Sequence, residues 1–312
     1  MFLNKFAVRI GFMALRKSKQ VSLADAVGRV GDGARIALGG FSVYQRPMAF
    51  VRELIRQSRC DLTVVGVVNG PEVDMLAGSN ALKCVESSYV GLEKFGLAPN
   101  FRRRVQEGKL EMVDYPELMS WDRFRASEQA QTFLPVSFLG GSDVAQRNPK
   151  IKEFDCPLTG RRLWAVPPAD PEIAIIHAIM GDEYGNVLVP RRRLLPQSLD
   201  ITLARSCDRI IVTVERIVSN DEVRRQAELN QVPSYRVECI AEAPWGAHPC
   251  PVLGISRIDE SAFEEYVRAA KTDEGFAKYL DATVHGLSDH DAYLENLGVA
   301  RLAALQTTGV GA

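Results

Sequence analysis

Gly39 and Gly40 stand where an apolar strand, Ile36 to Leu38, should end, and Phe41 and Ser42 follow them directly. Backbone N–H groups with no neighbouring Cβ can approach a ligand closely, and donors of this kind stabilise a developing oxyanion. Asn69-Gly70 closes a second apolar run, and Ser87, Ser88 and Tyr89 close a third. Their amide and hydroxyl groups suit a carboxylate or an acyl carbonyl, although serines in turns also serve local hydrogen bonding. Two acids lie close by in the sequence. Glu117 follows Pro116 ahead of a helical run, where a carboxylate can act as general base for water or simply favour the helix N-terminus. Glu86 reads as a strand-end carboxylate, solvated or paired.

These residues need a frame. Ser22, with Asp25 three residues on, starts a helix, and Pro47 opens another over Met48 to Gln57. Arg35 to Phe41 and Leu62 to Val68 read as strands on either side of that helix, followed by Lys83 to Tyr89, Leu110 to Val113, Thr132 to Phe138, Leu163 to Val166, Ile173 to Ile179 and Arg209 to Val214. Short apolar strands alternating with amphipathic helices predict an α/β fold: an open, mainly parallel sheet with helices on both faces. Ligands of such sheets bind beyond the C-terminal ends of the strands, where all the donors above are expected. Helices are expected near Asn100 to Glu107, Glu117 to Gln131 and Gln197 to Cys207, with two long ones, Glu260 to Leu280 and Asp289 to Leu305, closing the chain. Val144 to Arg162 reads as a long loop, and Gly181 to Asn186 as a hairpin connection.

The chain has 312 residues, 46% of them hydrophobic, enough for a large core, and its net charge of −1 gives no footprint for nucleic acid. No window approaches a membrane-spanning length, so no membrane partner is expected. Six cysteines without a Cys-x-x-Cys pair predict reduced thiols and a cytoplasmic protein. Four histidines show no metal-ligand spacing, so no metal is expected, and His177 reads as a core residue. Residues 1–20 carry five basic residues and no acid, and they read as a disordered extension ahead of a domain over 21–312. An amphipathic targeting segment is the alternative. The arginine runs 191–193 and 102–104 read as solvated faces, with phosphate contact as the alternative.

The stretch from Asp32-Gly33 through Gly39-Gly40-Phe41 to Pro47 resembles the signature of the A subunits of type I coenzyme A transferases. One glycine of that signature is replaced, by Gln45. Ser88-Tyr89-Val90-Gly91 is similar to a turn of the same subunits. Ala243 to Pro249 and Asp289 to Leu294 look like the glutaconate coenzyme A-transferase branch. The resemblance implies that coenzyme A thioesters are substrates and that no cofactor is permanently bound. It implies a partner B subunit carrying the glutamate that accepts coenzyme A, in a hetero-oligomer with two-fold symmetry. It further implies that Gly39, Gly40, Phe41, Ser42, Gln45, Asn69, Gly70, Ser87, Ser88 and Tyr89 line the substrate site. Glutamate at position 117 resembles instead a branch that hydrolyses a ring as its coenzyme A thioester. That leaves a hydrolase with Glu117 as base as the alternative, and a non-catalytic acyl-coenzyme A-binding module as a third reading.

Overall fold

Ile36 and Leu38 point to one side of their strand and Ala37 to the other, and all three are buried, which is the pattern of a strand covered on both faces. The computed structural model of the chain describes residues 16–139, 141–191 and 193–307. Strands β1 (Arg35–Leu38), β2 (Leu62–Val65), β3 (Val68–Asn69), β4 (Leu82–Ser87), β5 (Tyr89–Val90), β6 (Glu111–Asp114), β7 (Leu134–Val136), β8 (Lys152–Asp155), β9 (Arg162–Val166), β10 (Ile173–Gly181), β11 (Val187–Leu188), β12 (Ile210–Ile217) and β13 (Val237–Glu242) follow in chain order. The main sheet runs β13-β12-β10-β1-β2-β4-β6, and every neighbouring pair on that path is parallel. β11 folds back antiparallel on β10 through the hairpin expected at Gly181 to Asn186.

Helices α1 (Leu23–Val27), α2 (Met48–Arg56), α3 (Pro71–Gly78), α4 (Pro99–Gln106), α5 (Glu117–Glu128), α6 (Asp143–Arg147), α7 (Leu195–Arg205), α8 (Asn220–Arg225), α9 (Glu260–Ala269), α10 (Asp273–Leu280), α11 (His290–Leu297) and α12 (Val299–Leu305) connect and cover it. Ser22 caps α1 through its hydroxyl, which accepts from the N–H of Asp25 at 3.0 Å, and Pro47 precedes α2. One face of the sheet packs Ile36, Leu38, Val64 and Ile175 against α2, α3, α9 and α10. The opposite face packs Ala37, Val65 and Ala174 against Phe124 of α5 and Leu199 and Leu203 of α7. Each fully enclosed Ile or Leu here contributes about 1.5–3 kcal/mol by leaving water.

From β1 the chain builds outward through β2, β4 and β6, and later from β10 through β12 and β13 in the other direction. The boundary between β1 and β10 is therefore the topological switch point, where the turns after neighbouring strands diverge and leave a crevice.

Several expectations change. Val144 to Arg162 is not a plain loop: it contains α6 and β8, and β8 joins β7 and β9 in a separate three-stranded antiparallel sheet. The runs near Thr132 and Leu163 belong to that sheet rather than to the parallel core. β8 is exposed along most of its length, so its sequence lacks the apolar alternation of a core strand. The two long C-terminal helices are four, broken at 270–272 and at Gly298, whose φ of 83° ends a helix. Of the expected extension over 1–20, residues 1–15 lie outside the described residues. Lys19 to Val21 runs beside β13, with Val21 donating to Ile240 and Ile240 to Lys19, both at 3.0 Å. Among the described residues no helix is long and apolar enough to cross a membrane.

Candidate active site

The turn after β1 is folded on itself. Phe41 and Tyr44 exchange backbone hydrogen bonds of 3.0 and 2.9 Å, Ser42 adopts φ 52° and Gln45 φ 55°, and Gly40 has φ 84°. A Cβ on Gly40 would stand 2.5 Å from the Tyr44 carbonyl oxygen, so both conformation and space demand glycine there. At Gly39 the demand comes from another element: a Cβ would stand 2.5 Å from Oδ1 of Asp200, on α7.

The expectation that these glycines offer free N–H groups to a substrate is corrected. Gly39 donates to Ile175 O at 2.7 Å, Gly40 to Asp200 Oδ1 at 2.6 Å, Phe41 to Tyr44 O and Ser42 to Val68 O at 3.0 Å. Every donor of the run has a protein acceptor. The glycines serve close packing of the turn against β10 and α7.

Arg46, buried inside the turn, holds it to the next one. Its guanidinium donates to Ser42 O at 2.8 Å, Gly39 O at 2.9 Å and Leu38 O at 3.3 Å, and also to Val68 O. Its charge is balanced by Glu72 of α3, 3.2 Å away. Glu72 in turn accepts from the N–H of Gly70 and from Nδ2 of Asn69, each at 3.0 Å, and Oδ1 of Asn69 accepts from the Ser87 hydroxyl at 2.7 Å. A continuous buried polar chain thus joins the turn after β1, strand β3 and the C-terminal end of β4.

The sequence-derived residues consequently divide. Gly39, Gly40, Ser42, Gln45, Asn69, Gly70 and Ser87 are buried and belong to this frame. Phe41 and Ser88 are half-buried and Tyr89 is exposed, beside exposed Tyr44 and Glu93, whose carboxylate accepts from the Ser42 hydroxyl. Glu117 is exposed at the first turn of α5. One turn further on, Trp121 places its ring 6.3 Å from that of Phe41, so the helix face carrying Glu117 and Trp121 adjoins the turn after β1.

Glu86, expected at a strand end, is fully enclosed and paired with three cations. Arg35 binds both of its oxygens at 2.8 Å, Arg123 donates at 2.7 Å and Lys150 at 2.5 Å. Burial alone would raise its pKa, but these cations hold the carboxyl far below the usual carboxylate range. His177 is a core residue, as expected, with ring nitrogens 2.9 Å from Thr213 Oγ1 and 2.8 Å from Glu215 Oε1. The run 102–104 holds α10: Arg103 and Arg104 pair with Asp273 at 2.9 and 3.3 Å. In the other run, Arg191 pairs with Glu228 at 2.7 Å, Arg193 is exposed, and position 192 lies outside the described residues.

Arg46, Glu72, Gln197, Asp200 and Glu93 do not stand out in the sequence. The available signal is Arg46 itself, a charge next to an apolar turn and the proline that opens a helix, which requires a buried counter-ion.

Residues 20–243 match the family described as Coenzyme A transferase. The A subunit of glutaconate CoA-transferase from Acidaminococcus fermentans is 32% identical, covering 94% of this chain and 97% of its own length. The A subunit of 3-oxoadipate CoA-transferase from Pseudomonas knackmussii is 30% identical, over 88% of this chain and 96% of its own. The crystal structure of glutaconate coenzyme A-transferase from A. fermentans superposes with a TM-score of 0.87 over 93% of this chain and 96% of the other, at 32% identity.

Proposed function

The chain belongs to the coenzyme A transferase family, and on that premise we propose that it is the A subunit of a two-subunit enzyme that moves coenzyme A between carboxylic acids. The observation that carries this reading is the state of the carboxylates at the C-terminal edge of the sheet. Glu86 is saturated by Arg35, Arg123 and Lys150, Glu72 is held by Arg46 and Gly70, and Asp200 is enclosed against Gly40. None of these three can swing out to attack a thioester, and a transferase of this type needs a carboxylate nucleophile. That leaves the nucleophilic glutamate to a partner B subunit, as the resemblance to the A subunits of this family implies. Its carboxylate attacks the acyl thioester to form an acyl anhydride and release the coenzyme A thiolate. The thiolate then attacks the glutamyl carbonyl, releasing the first acid and leaving the glutamyl thioester for the second acid.

In this reading the buried residues Gly39, Gly40, Ser42, Gln45, Asn69, Gly70 and Ser87 shape the pocket wall. Phe41, Ser88, Tyr89 and Glu117 face the substrate. Coenzyme A enters as thioester substrate rather than as a resident cofactor, and the working unit is a hetero-oligomer with two-fold symmetry. Both relatives are named for dicarboxylic acids, which supports a dicarboxylic acyl substrate here.

The test is co-expression with a B subunit of the same family, followed by assay on glutaconyl-coenzyme A with and without acetate. The reading expects no activity from this chain alone and acetate-dependent acetyl-coenzyme A from the complex, with ping-pong kinetics. Glu117→Gln should retain transfer. Thioester consumption that ignores acetate and disappears in Glu117→Gln would replace transfer by hydrolysis with Glu117 as base; binding without turnover would leave an acyl-coenzyme A-binding module.

A further inference from the structure

We propose that Asp200 is a positioning residue for the substrate-facing turn after β1, holding it closed through a one-directional hydrogen-bond relay only while the carboxylate is ionised, a role in catalysis that rests on the transferase reading above. The relay starts at a backbone donor, the N–H of Leu194, 3.0 Å from Gln197 Oε1. Because that contact requires an acceptor, the Gln197 amide is fixed, and its Nε2 donates to Gln45 Oε1 at 2.6 Å. Gln45 is fixed a second time by the carbonyl of His177, which can only accept and lies 3.0 Å from Gln45 Nε2. The same Nε2 lies 3.2 Å from Asp200 Oδ2, while Asp200 Oδ1 receives the N–H of Gly40 at 2.6 Å.

Both carboxylate oxygens thus face donors whose direction the main chain has already set. A proton on Oδ2 would meet the Gln45 NH₂ group, and a proton on Oδ1 would meet the Gly40 N–H. The neutral acid has no acceptor in the relay, so protonation breaks it at Gln45 or at Gly40. A void of about 10 Å³ beside Gln45, Gln197 and Asp200 is at the lower limit for one water, so at most one solvent molecule has room to replace the lost partner.

Burial opposes the relay by favouring the neutral acid, and it pushes the Asp200 carboxyl up to about 7. Among the charged and titratable groups on the surrounding elements, Arg46 favours ionisation. Glu72 of α3 is paired with Arg46, Arg123 of α5 is engaged by Glu86, and the ring of His177 on β10 is turned to Thr213 and Glu215. The turn is therefore closed above neutral pH and loosens as pH falls through about 7.

The experiment reads the turn directly and the activity separately. Amide hydrogen exchange of the peptide spanning 39–45, corrected for intrinsic rate, is measured in the full chain from pH 6 to 8.5 for wild type, Asp200→Asn and Gln197→Met. An asparagine presents one NH₂ group to a donor and imitates the protonated acid. Wild-type protection is expected to fall about tenfold from pH 8 to pH 6, and Asp200→Asn to remain at the low value throughout. Gln197→Met should lower protection while keeping its pH dependence, since Asp200 still titrates. In the complex with the B subunit, wild-type KM should rise below pH 7 with kcat little changed, and Asp200→Asn should show the raised KM at every pH. Protection that is equal in wild type and Asp200→Asn and independent of pH overturns the relay; if the asparagine variant does not fold, a flat wild-type profile does the same. A wild-type complex without transfer, but with the expected exchange pattern, overturns the transferase reading and leaves the relay standing.

Discussion

Arg46 and Glu72 form an ion pair 3.2 Å apart in which the two side chains are only 1% and 0% exposed. They come from the turn after β1 and from the helix after β3, so the pair fastens together the segments that follow the neighbouring parallel strands β1 and β2. Taking two charges out of water is unfavourable unless their remaining hydrogen-bonding groups are also matched. Here the guanidinium spans four backbone carbonyls and the carboxylate receives Gly70 and Asn69, which completes the match.

Removing one partner should therefore be far worse than removing both. Arg46→Met leaves Glu72 buried without a counter-ion and strips donors from four carbonyls, and it is expected to destabilise by about 3–5 kcal/mol. Arg46→Met combined with Glu72→Met should recover part of that loss. Urea midpoints for Arg46→Met, Glu72→Met and the double variant check this; a double variant as unstable as the sum of the singles would contradict the coupling.

Glu86 yields a prediction that separates structure from chemistry. It ties together strand β4, helix α5 through Arg123, and the two ends of the small antiparallel sheet, through Lys150 before β8 and through Arg35 and Arg123, which also bind the carbonyls of 167–169. Glu86→Gln should cost about 3 kcal/mol, because three cations lose their shared charge. Since the folded-state pKa is depressed, the stabilisation is complete above the ordinary carboxylate range and is lost as pH falls below it. Wild type should therefore lose its advantage over Glu86→Gln as thermal unfolding is moved from pH 7 to pH 3. Transfer activity of the folded variant with its B subunit is expected to persist; its complete loss in a well-folded protein would make Glu86 a reacting group.

The turn after β1 is legible because three local signals coincide there: an apolar run, a glycine pair and Pro47 at the start of a helix. Helix α3 is hidden for a physical reason. All eight residues from Pro71 to Gly78 are buried, so no polar face gives it a helical period. Glu72 and Asp200 are hidden together with their burial. An acid in a sequence looks solvated until the fold encloses it, and the groups that match these two acids, Arg46 and Gly40, are distant in the chain. The free N–H groups expected at Gly39, Gly40 and Ser42 fail similarly, since their acceptors come from β10, α7 and β3, and that of Phe41 is taken within the turn by Tyr44. The local pattern holds the shape of the turn, and it cannot contain which partner fills each hydrogen bond.

Gly39 and Asp200 should be energetically coupled. Gly39→Ala brings a methyl group against Asp200 Oδ1, at 2.5 Å without relaxation, and against Ile176 at 3.1 Å. The expected loss is about 2–3 kcal/mol, in the range of overpacking. In an Asp200→Ala background the same substitution should cost at least about 1 kcal/mol less, the size of a contact-pair coupling. Chemical denaturation of the four proteins closes the cycle, and additive losses would mean that the glycine is required by the backbone of β10 alone.

His290 should make an acid-sensitive contribution to stability between the histidine and carboxylate ranges, opposed over that range by Asp200 and Asp74, whose buried carboxyls take up protons in the folded chain. It is enclosed at the start of α11, its Nε2 donates to Pro244 O at 2.7 Å, and burial, followed by the field of Arg52, pushes its pKa down to about 3. Unfolded, the ring binds a proton near its ordinary value of about 6.5. Between those two values the unfolded chain holds a proton at this ring that the folded one excludes, so the contribution of His290 is full above about pH 6.5 and declines by up to about 1.4 kcal/mol per pH unit as pH falls. His248, also lowered by burial, acts in the same direction. At pH 5 the loss from His290 is about 2 kcal/mol. His290→Gln can still donate to the Pro244 carbonyl and cannot titrate, so on going from pH 7.5 to pH 5 its unfolding free energy, from urea curves, should gain about 2 kcal/mol relative to that of wild type. Equal changes in the two proteins would mean that the native state accepts the proton at His290, through movement of α11 away from the 244–249 turn.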